Sequence, residues 1–253
     1  GALMFLGCPL RMILRLGGGD LNALFGIAGF AGGVGIGTIF LKRGYSLQRT
    51  YALSKLESAI MPAIQVGLLV LVVTAPAFIF FSQKGPGAMH APWLISLAAG
   101  LVVGGLSQYS RLCTVGGFRD LFLFKKSVLI FGYIAVLVGV FAVNISFGNF
   151  HLGFENQPVS HTDGLWNFLG MALAGFCSVL LGGCPLRQLI MTGEGNSDSA
   201  VTVLGLAAGA AFAHNFGLAA SGAGPTLNGQ IAVGIGFVVA LIIAVLNTKR
   251  SNA

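Results

Sequence analysis

A cysteine, a proline and an arginine occur in the same order twice, within the pentapeptide GCPLR at residues 7–11 and 183–187. The repeated residues with reactive or conformationally special side chains are Gly7, Cys8, Pro9 and Arg11, matched by Gly183, Cys184, Pro185 and Arg187. Glycine favours the end of one helix, and proline suits the first turn of the next, where its missing N–H leaves no hydrogen bond unmade. Each thiol is therefore predicted at the N-terminus of a short helix, where free N–H groups and the helix dipole favour an anion.

Buried thiols usually pack as small apolar groups, but two matching helix breaks favour a functional role for Cys8 and Cys184. A neutral thiol can donate a hydrogen bond to a passing anion, whereas a thiolate would react with a sulfane sulfur. The apolar surroundings favour the neutral form. A third break is predicted in SQYSRLCTVGGFRD, residues 107–120, which adds Cys113, Arg111 and Arg119 to the candidate pathway. Cys177 lies inside an apolar run, and we expect it to pack.

Arginine inside a membrane is unfavourable by about 2.5–3.5 kcal/mol, so Arg11 and Arg187 require a use or a partner. One interpretation is that these residues, with Arg111 and Arg119, draw anions to the mouths of a pathway. The other is that Arg11 and Arg187 reach lipid headgroups or pair with Asp20 and Glu194.

The composition indicates an integral membrane protein, because 55% of the 253 residues are hydrophobic and 8% are charged, against about 25% charged in soluble domains. Backbone groups in lipid must bond internally, so the apolar runs must be helices. We predict an all-α polytopic fold, one transmembrane domain over residues 1–253 with about seven spanning helices. The runs are roughly 22–41, 59–82, 92–107, 127–147, 164–182, 198–217 and 229–247.

Basic residues follow the first, third and seventh runs, which lie on one side of the membrane if the runs alternate. They are Lys42, Arg43, Arg49 and Lys55; Arg111, Arg119, Lys125 and Lys126; and Lys249 and Arg250. The positive-inside rule makes this side and the C-terminus cytoplasmic. Because the net charge of +7 resides between apolar runs, we exclude a nucleic-acid partner. The lipid bilayer is the expected surrounding, and no cofactor or metal site is predicted.

An approximate repeat relates residues 7–40 to 183–216. Five predicted spans separate the two copies, so they would approach from opposite faces, as in the inverted repeats of many transporters. Small residues at intervals of four in each copy predict close helix packing: Gly29, Gly33 and Gly37, and Gly205, Gly209 and Ala213. Since the chain opens within an apolar stretch, we also expect an N-terminal part to be missing.

The Gly-Cys breaks and RLCTVGGFRD, residues 111–120, resemble the YeeE/YedE sulfur-transport family, and GCPLR is most similar to its YedE-like branch linked to selenium metabolism. The resemblance implies inner-membrane proteins with inverted repeats, whose short helices carry a cysteine at the tip. It also implies that thiosulfate passes by transient hydrogen bonds to thiols, here Cys8, Cys113 and Cys184. The family's first cysteine break is absent from this sequence, and Pro-Leu-Arg does not follow the cysteine in every member.

The leading hypothesis is a passive or weakly coupled uptake pathway, not an enzyme, for a small sulfur- or selenium-containing anion such as thiosulfate. One alternative is a membrane thiol protein that accepts sulfane sulfur or selenium and passes it to a cytoplasmic carrier protein. Another is a non-transporting membrane partner of a redox enzyme.

Overall fold

Helices form the regular secondary structure of the described chain, as predicted. The computed structural model describes residues 1–47, 54–75, 78, 80, 83, 88 and 91–248, where isolated β-bridges but no strands accompany the helices. Arg49, Lys249 and Arg250, used above for orientation, lie outside these residues. The helices are α1 (Ala2–Phe5), α2 (Pro9–Gly17), α3 (Asn22–Lys42), α4 (Lys55–Thr74), α5 (Trp93–Tyr109), α6 (Thr114–Phe124), α7 (Val128–Ser146), α8 (Gly164–Leu180), α9 (Pro185–Gly193), α10 (Ser197–Asn215) and α11 (Leu227–Leu246).

Five helical stretches of the described chain are long and apolar enough to cross a membrane, which makes the protein polytopic. They are Asn22–Lys42, Trp93–Phe124, Val128–Ser146, Gly164–Gly193 and Leu227–Leu246. Each of the seven predicted runs overlaps a helix, but Ala59–Thr74 is a shorter apolar helix, and α10 carries polar residues at both ends. Two of the five stretches contain a cysteine break.

The chain divides into two compact units, residues 1–49, 113–186 and 204–253 in the first and residues 50–112 and 187–203 in the second. Within the first unit, α3 packs along α8, and α6 packs against α3 and α7. Phe30 of α3 meets Phe118 of α6 edge to face, with ring centroids 5.8 Å apart. Cys8, Cys113 and Cys184 all belong to this first unit.

Glycines let α3 and α8 approach until their backbones touch. A Cβ atom at Gly29 or Gly33 would overlap the carbonyl oxygen of Phe168 or Ala172, and one at Gly37 would lie 2.6 Å from the Cβ of Val179. Close packing by small residues is therefore confirmed for α3.

The same prediction is wrong for α10, because a Cβ atom at Gly205 or Gly209 would have no heavy atom of the described chain within 4 Å. Both glycines instead border an apolar groove of about 1170 Å³ between α8, α10 and α11. Cys177 lies on the wall of this groove and packs against the apolar cluster around Phe176, as predicted.

Candidate functional site

The three cysteine breaks share one backbone geometry. The residue two positions before each cysteine has a positive φ: 61° at Leu6, 51° at Arg111 and 82° at Gly182. The next N–H then bonds back five residues, to the carbonyls of Ala2, Ser107 and Ser178 at 2.9, 3.0 and 3.0 Å. This is the Schellman helix ending. In the two GCPLR copies it occurs one residue earlier than the predicted break residues Gly7 and Gly183.

Gly7 and Gly183 lie within these breaks, but the helix reversal is made by Leu6 and Gly182. A Cβ atom at Gly7 would lie 2.8 Å from the Cδ atom of Arg11, so Gly7 makes room for that arginine. Gly7 is thus needed for its small size and not for a left-handed backbone conformation.

Each cysteine directly precedes the first residue of a short helix. Cys8 and Cys113 are the N-cap residues of α2 and α6, with extended backbones. Cys184 comes before α9, and Pro9 and Pro185 begin α2 and α9, as expected of proline at a first helical position. The Cys113 sulfur accepts a hydrogen bond from the N–H of Gly116 at 3.4 Å.

The three thiols converge on one place in the first unit. Those of Cys113 and Cys184 are in hydrogen-bonding contact, and the N–H of Cys184 also donates to the Cys113 sulfur. These two cysteines are 8% and 1% exposed, while Cys8 is half-buried. All three lie close enough to Tyr133 to interact electrostatically with its hydroxyl group. Cys113 and Cys184 are thus in direct contact, and Cys8 lies within electrostatic range of the same tyrosine; the three thiols and Tyr133 are called the thiol cluster below.

Tyr133 of α7 is a component of this site that the sequence analysis missed. Its hydroxyl oxygen lies 2.6 Å from the hydroxyl oxygen of Thr114, the first residue of α6, and its side chain is buried. The available signal was weak: Tyr133 carries a hydroxyl group in an otherwise apolar run, near the start of α7.

The arginines differ in their partners. Arg187 donates to the Gln108 side-chain oxygen at 2.7 Å and lies 4.0 Å from the carboxylate of Glu194. Arg119 pairs with the neighbouring Asp120 at 2.9 Å, and Arg111 is exposed. The proposed pairing of Arg187 with Glu194 is therefore present.

The alternative pairing of Arg11 with Asp20 is wrong, because Asp20 pairs with Arg15 at 2.7 Å. Arg15 also donates to the Phe5 carbonyl and the Ser160 hydroxyl. Burial lowers the pKa of Arg15, and the charge and hydrogen bond of Asp20 oppose that shift. The turn after α2 explains the choice of partner, since the N–H of Asp20 bonds to the Arg15 carbonyl and so brings their side chains together.

The two copies of the repeated motif form helices of equal length, α2 of nine residues and α9 of nine. Equivalent turns follow them. The N–H of Asp20 bonds to the Arg15 carbonyl, and that of Asn196 bonds to the Met191 carbonyl. Gly19 and Gly195 both have positive φ, 99° and 85°.

An all-α polytopic chain whose short helices begin at buried or half-buried cysteines belongs to the class of membrane proteins with broken helices, an architecture common in transporters. Within that class, the chain belongs to the sulphur transport family, whose match covers residues 109–249, more than half of the sequence. The matched region contains Cys113, Tyr133 and Cys184 but not Cys8.

A curated relative is the thiosulfate transporter TsuA of Escherichia coli (strain K12). It is 27% identical over 115 residues, which are 42% of this chain and 30% of that protein. The chain thus aligns with under a third of its relative's length. No solved structure matches the chain.

Proposed function

We propose that the protein is an inner-membrane transporter for a small sulfur- or selenium-containing anion such as thiosulfate. Cys8, Cys113 and Cys184 line its pathway. The observation that carries this proposal is the convergence of three thiols, each at a helix N-terminus, on Tyr133. Membership of the sulphur transport family and similarity to a thiosulfate transporter support it.

The thiol cluster offers an anion several weak interactions in place of its hydration shell. Three helix N-termini contribute positive dipole ends. Neutral thiols and the hydroxyls of Tyr133 and Thr114 supply further donors, and soft sulfur atoms suit a soft, polarizable substrate. Because each contact is weak, an anion can enter the cluster and also leave it, which conduction requires.

The two GCPLR copies would reach the cluster from opposite leaflets, α2 from outside and α9 from the cytoplasm. This inverted arrangement rests on the five spans predicted between the copies and on the predicted cytoplasmic C-terminus. Arg11 would then attract anions at the outer mouth. The other three arginines of the pathway would lie at the cytoplasmic mouth: Arg111, Arg119 and Arg187.

Selenium compounds fit the same chemistry, because selenium is at least as polarizable as sulfur and thiols bind both elements. A transport assay should therefore compare thiosulfate with selenite and use sulfate as the hard-oxygen reference. Faster flux of the soft substrates is the expected result.

Uptake of radiolabelled thiosulfate by cells expressing Cys184→Ala tests the proposal. We expect uptake to fall at least tenfold, because the substrate loses its contact at the centre of the pathway. Cys177→Ala is the matched control, since Cys177 lies on the apolar groove, and it should transport normally. Unchanged uptake of every candidate anion by Cys184→Ala would refute the assignment.

One observation favours a second function, the transfer of sulfane sulfur to a cytoplasmic carrier. The Cys113 and Cys184 thiols are in contact, so a sulfur atom accepted by one thiol could be passed to the other. The Cys184 thiol would release its proton to water and attack the outer sulfur of thiosulfate. The S–S bond of thiosulfate then breaks, sulfite leaves with the electron pair, and a persulfide remains on Cys184. Mass spectrometry after thiosulfate exposure should detect 32 Da, roughly one sulfur atom, on Cys184 if this chemistry operates.

A further inference from the structure

We infer that the first unit contains a second anion-binding site, separate from the thiol cluster, which captures a hydrated divalent oxyanion before it reaches Cys8. The site is a polar pocket of about 460 Å³, called the arginine pocket here. Its walls include Arg11, Arg15, Asn144, Asn149, His151 and Gln157. That the captured anion is also the transported anion rests on the proposed function.

The charge of the pocket favours an anion. Arg11 and Arg15 lie one turn apart on the same face of α2, near enough for their like charges to repel. Asp20 also lines the pocket, but it is paired with Arg15. No acidic side chain in the described ranges pairs with Arg11, so its positive charge is left for a ligand.

Hydrogen bonds fix the walls of the arginine pocket. The N–H of His151 donates to the Gly18 carbonyl at 3.0 Å, and the Gln157 side-chain amide donates to the His151 carbonyl at 2.7 Å. The amide of Asn144 in α7 donates to the Gly17 carbonyl at 3.4 Å. The loop after α7 is thus joined to the end of α2, which holds the walls of the pocket in place.

The size of the pocket indicates capture of a hydrated anion. A volume of about 460 Å³ far exceeds what one water needs, so a small oxyanion fits together with several of its waters. The next site is close, because Cys8 precedes Arg11 by three residues, about 4.5 Å along the helix axis. Of the residues that line the pocket, Arg11 is therefore the one nearest to the Cys8 thiol along α2.

The second copy of the motif does not reproduce this charge pattern. Arg187, which corresponds to Arg11, is bonded to Gln108 and lies near Glu194. Met191 stands where the first copy has Arg15. Capture is consequently specific to the end of the pathway formed by α2, the outer end in the proposed orientation.

Binding and flux of thiosulfate in Arg11→Gln test the inference. Calorimetry on the purified protein should show the Kd for thiosulfate raised about tenfold, equivalent to ~1.4 kcal/mol. In proteoliposomes KM should rise by a similar factor with little change in maximal rate, and the difference should shrink at high salt. Arg11→Lys should resemble the parent protein, and Arg43→Gln removes one positive charge from the end of α3 as a control.

Asn149 provides a test that leaves α2 intact. Asn149→Asp should raise KM and Asn149→Lys should lower it, because each changes the charge at the edge of the pocket. Unchanged Kd and KM in Arg11→Gln and both Asn149 variants would overturn the inference, even if Cys184→Ala abolishes flux. If the parent protein shows no flux while Arg11→Gln still weakens binding, the arginine pocket stands and the proposed function fails.

Discussion

Tyr133 lies near all three thiols. The first substitution to test at the thiol cluster is therefore one that removes its hydroxyl group. Tyr133→Phe keeps the ring but leaves the Thr114 hydroxyl without its partner at 2.6 Å. We expect the KM for thiosulfate to rise about fivefold in proteoliposomes, a factor that corresponds to the free energy of one hydrogen bond.

Tyr109→Phe is the matched control, because Tyr109 is 93% exposed and the substitution should not alter transport. A Tyr133→Phe variant with lower melting temperature but normal KM would show that the hydroxyl pair is structural only.

The buried pair of Arg15 and Asp20 makes a prediction about stability. Asp20→Asn leaves the Arg15 charge buried without its counter-ion, which typically costs about 3–5 kcal/mol. Thermal unfolding in detergent should show a large drop in melting temperature.

Asp120→Asn is the comparison for this pair, because Asp120 and Arg119 are partly exposed and such pairs contribute about 0–1 kcal/mol. Equal effects of the two substitutions would contradict the assigned importance of the Arg15 pair.

At the scale of residues, the sequence predicted the cysteine breaks that belong to a repeated motif. It did not predict residues whose partners are brought to them by the tertiary fold. Cys8 and Cys184 were evident because GCPLR occurs twice. Arg15 was missed because its partner is selected by the turn after α2. Tyr133 was missed because its neighbours are brought to it by three other elements.

At the scale of elements, glycines at matched positions of the two copies have different surroundings. Gly33 touches the backbone of α8, whereas its counterpart Gly209 has open space. Gly33→Ala should therefore lower the melting temperature strongly. Gly209→Ala should be neutral or stabilising, since alanine favours a helix by about 1 kcal/mol over glycine.

The pair should be compared by thermal unfolding of the purified protein in one detergent. A Gly33→Ala variant as stable as Gly209→Ala would show that the contact between α3 and α8 tolerates a methyl group. The small-residue interpretation of α3 would then be wrong.

The positions of the helices followed from the apolar runs, but their ends did not. Lipid requires helices wherever the chain is apolar, so all seven runs overlap a helix. The helix endings at Leu6 and Arg111 have positive φ in residues that seldom adopt it. Beside Leu6 the local sequence therefore pointed to Gly7, whereas no glycine adjoins Arg111 to mark its helix ending.

At the scale of the whole molecule, the proposed orientation predicts which loops a membrane-impermeant thiol reagent can reach. Asn149→Cys follows α7 on the proposed outer side and should be labelled in intact cells. Lys126→Cys precedes α7 and should be labelled only after permeabilisation. Both positions are exposed, so a reversed labelling pattern would show that the orientation from the positive-inside rule is inverted.

The most direct measurement of the shared thiol pathway is thiosulfate uptake into liposomes that contain only the purified protein. Saturable uptake is expected, and Cys8→Ala, Cys113→Ala and Cys184→Ala should each reduce it strongly. Double substitutions should be little worse than single ones, because residues that act as a unit are not additive. Uptake no faster than in empty liposomes, or full uptake after loss of all three thiols, would contradict a pathway through the thiol cluster.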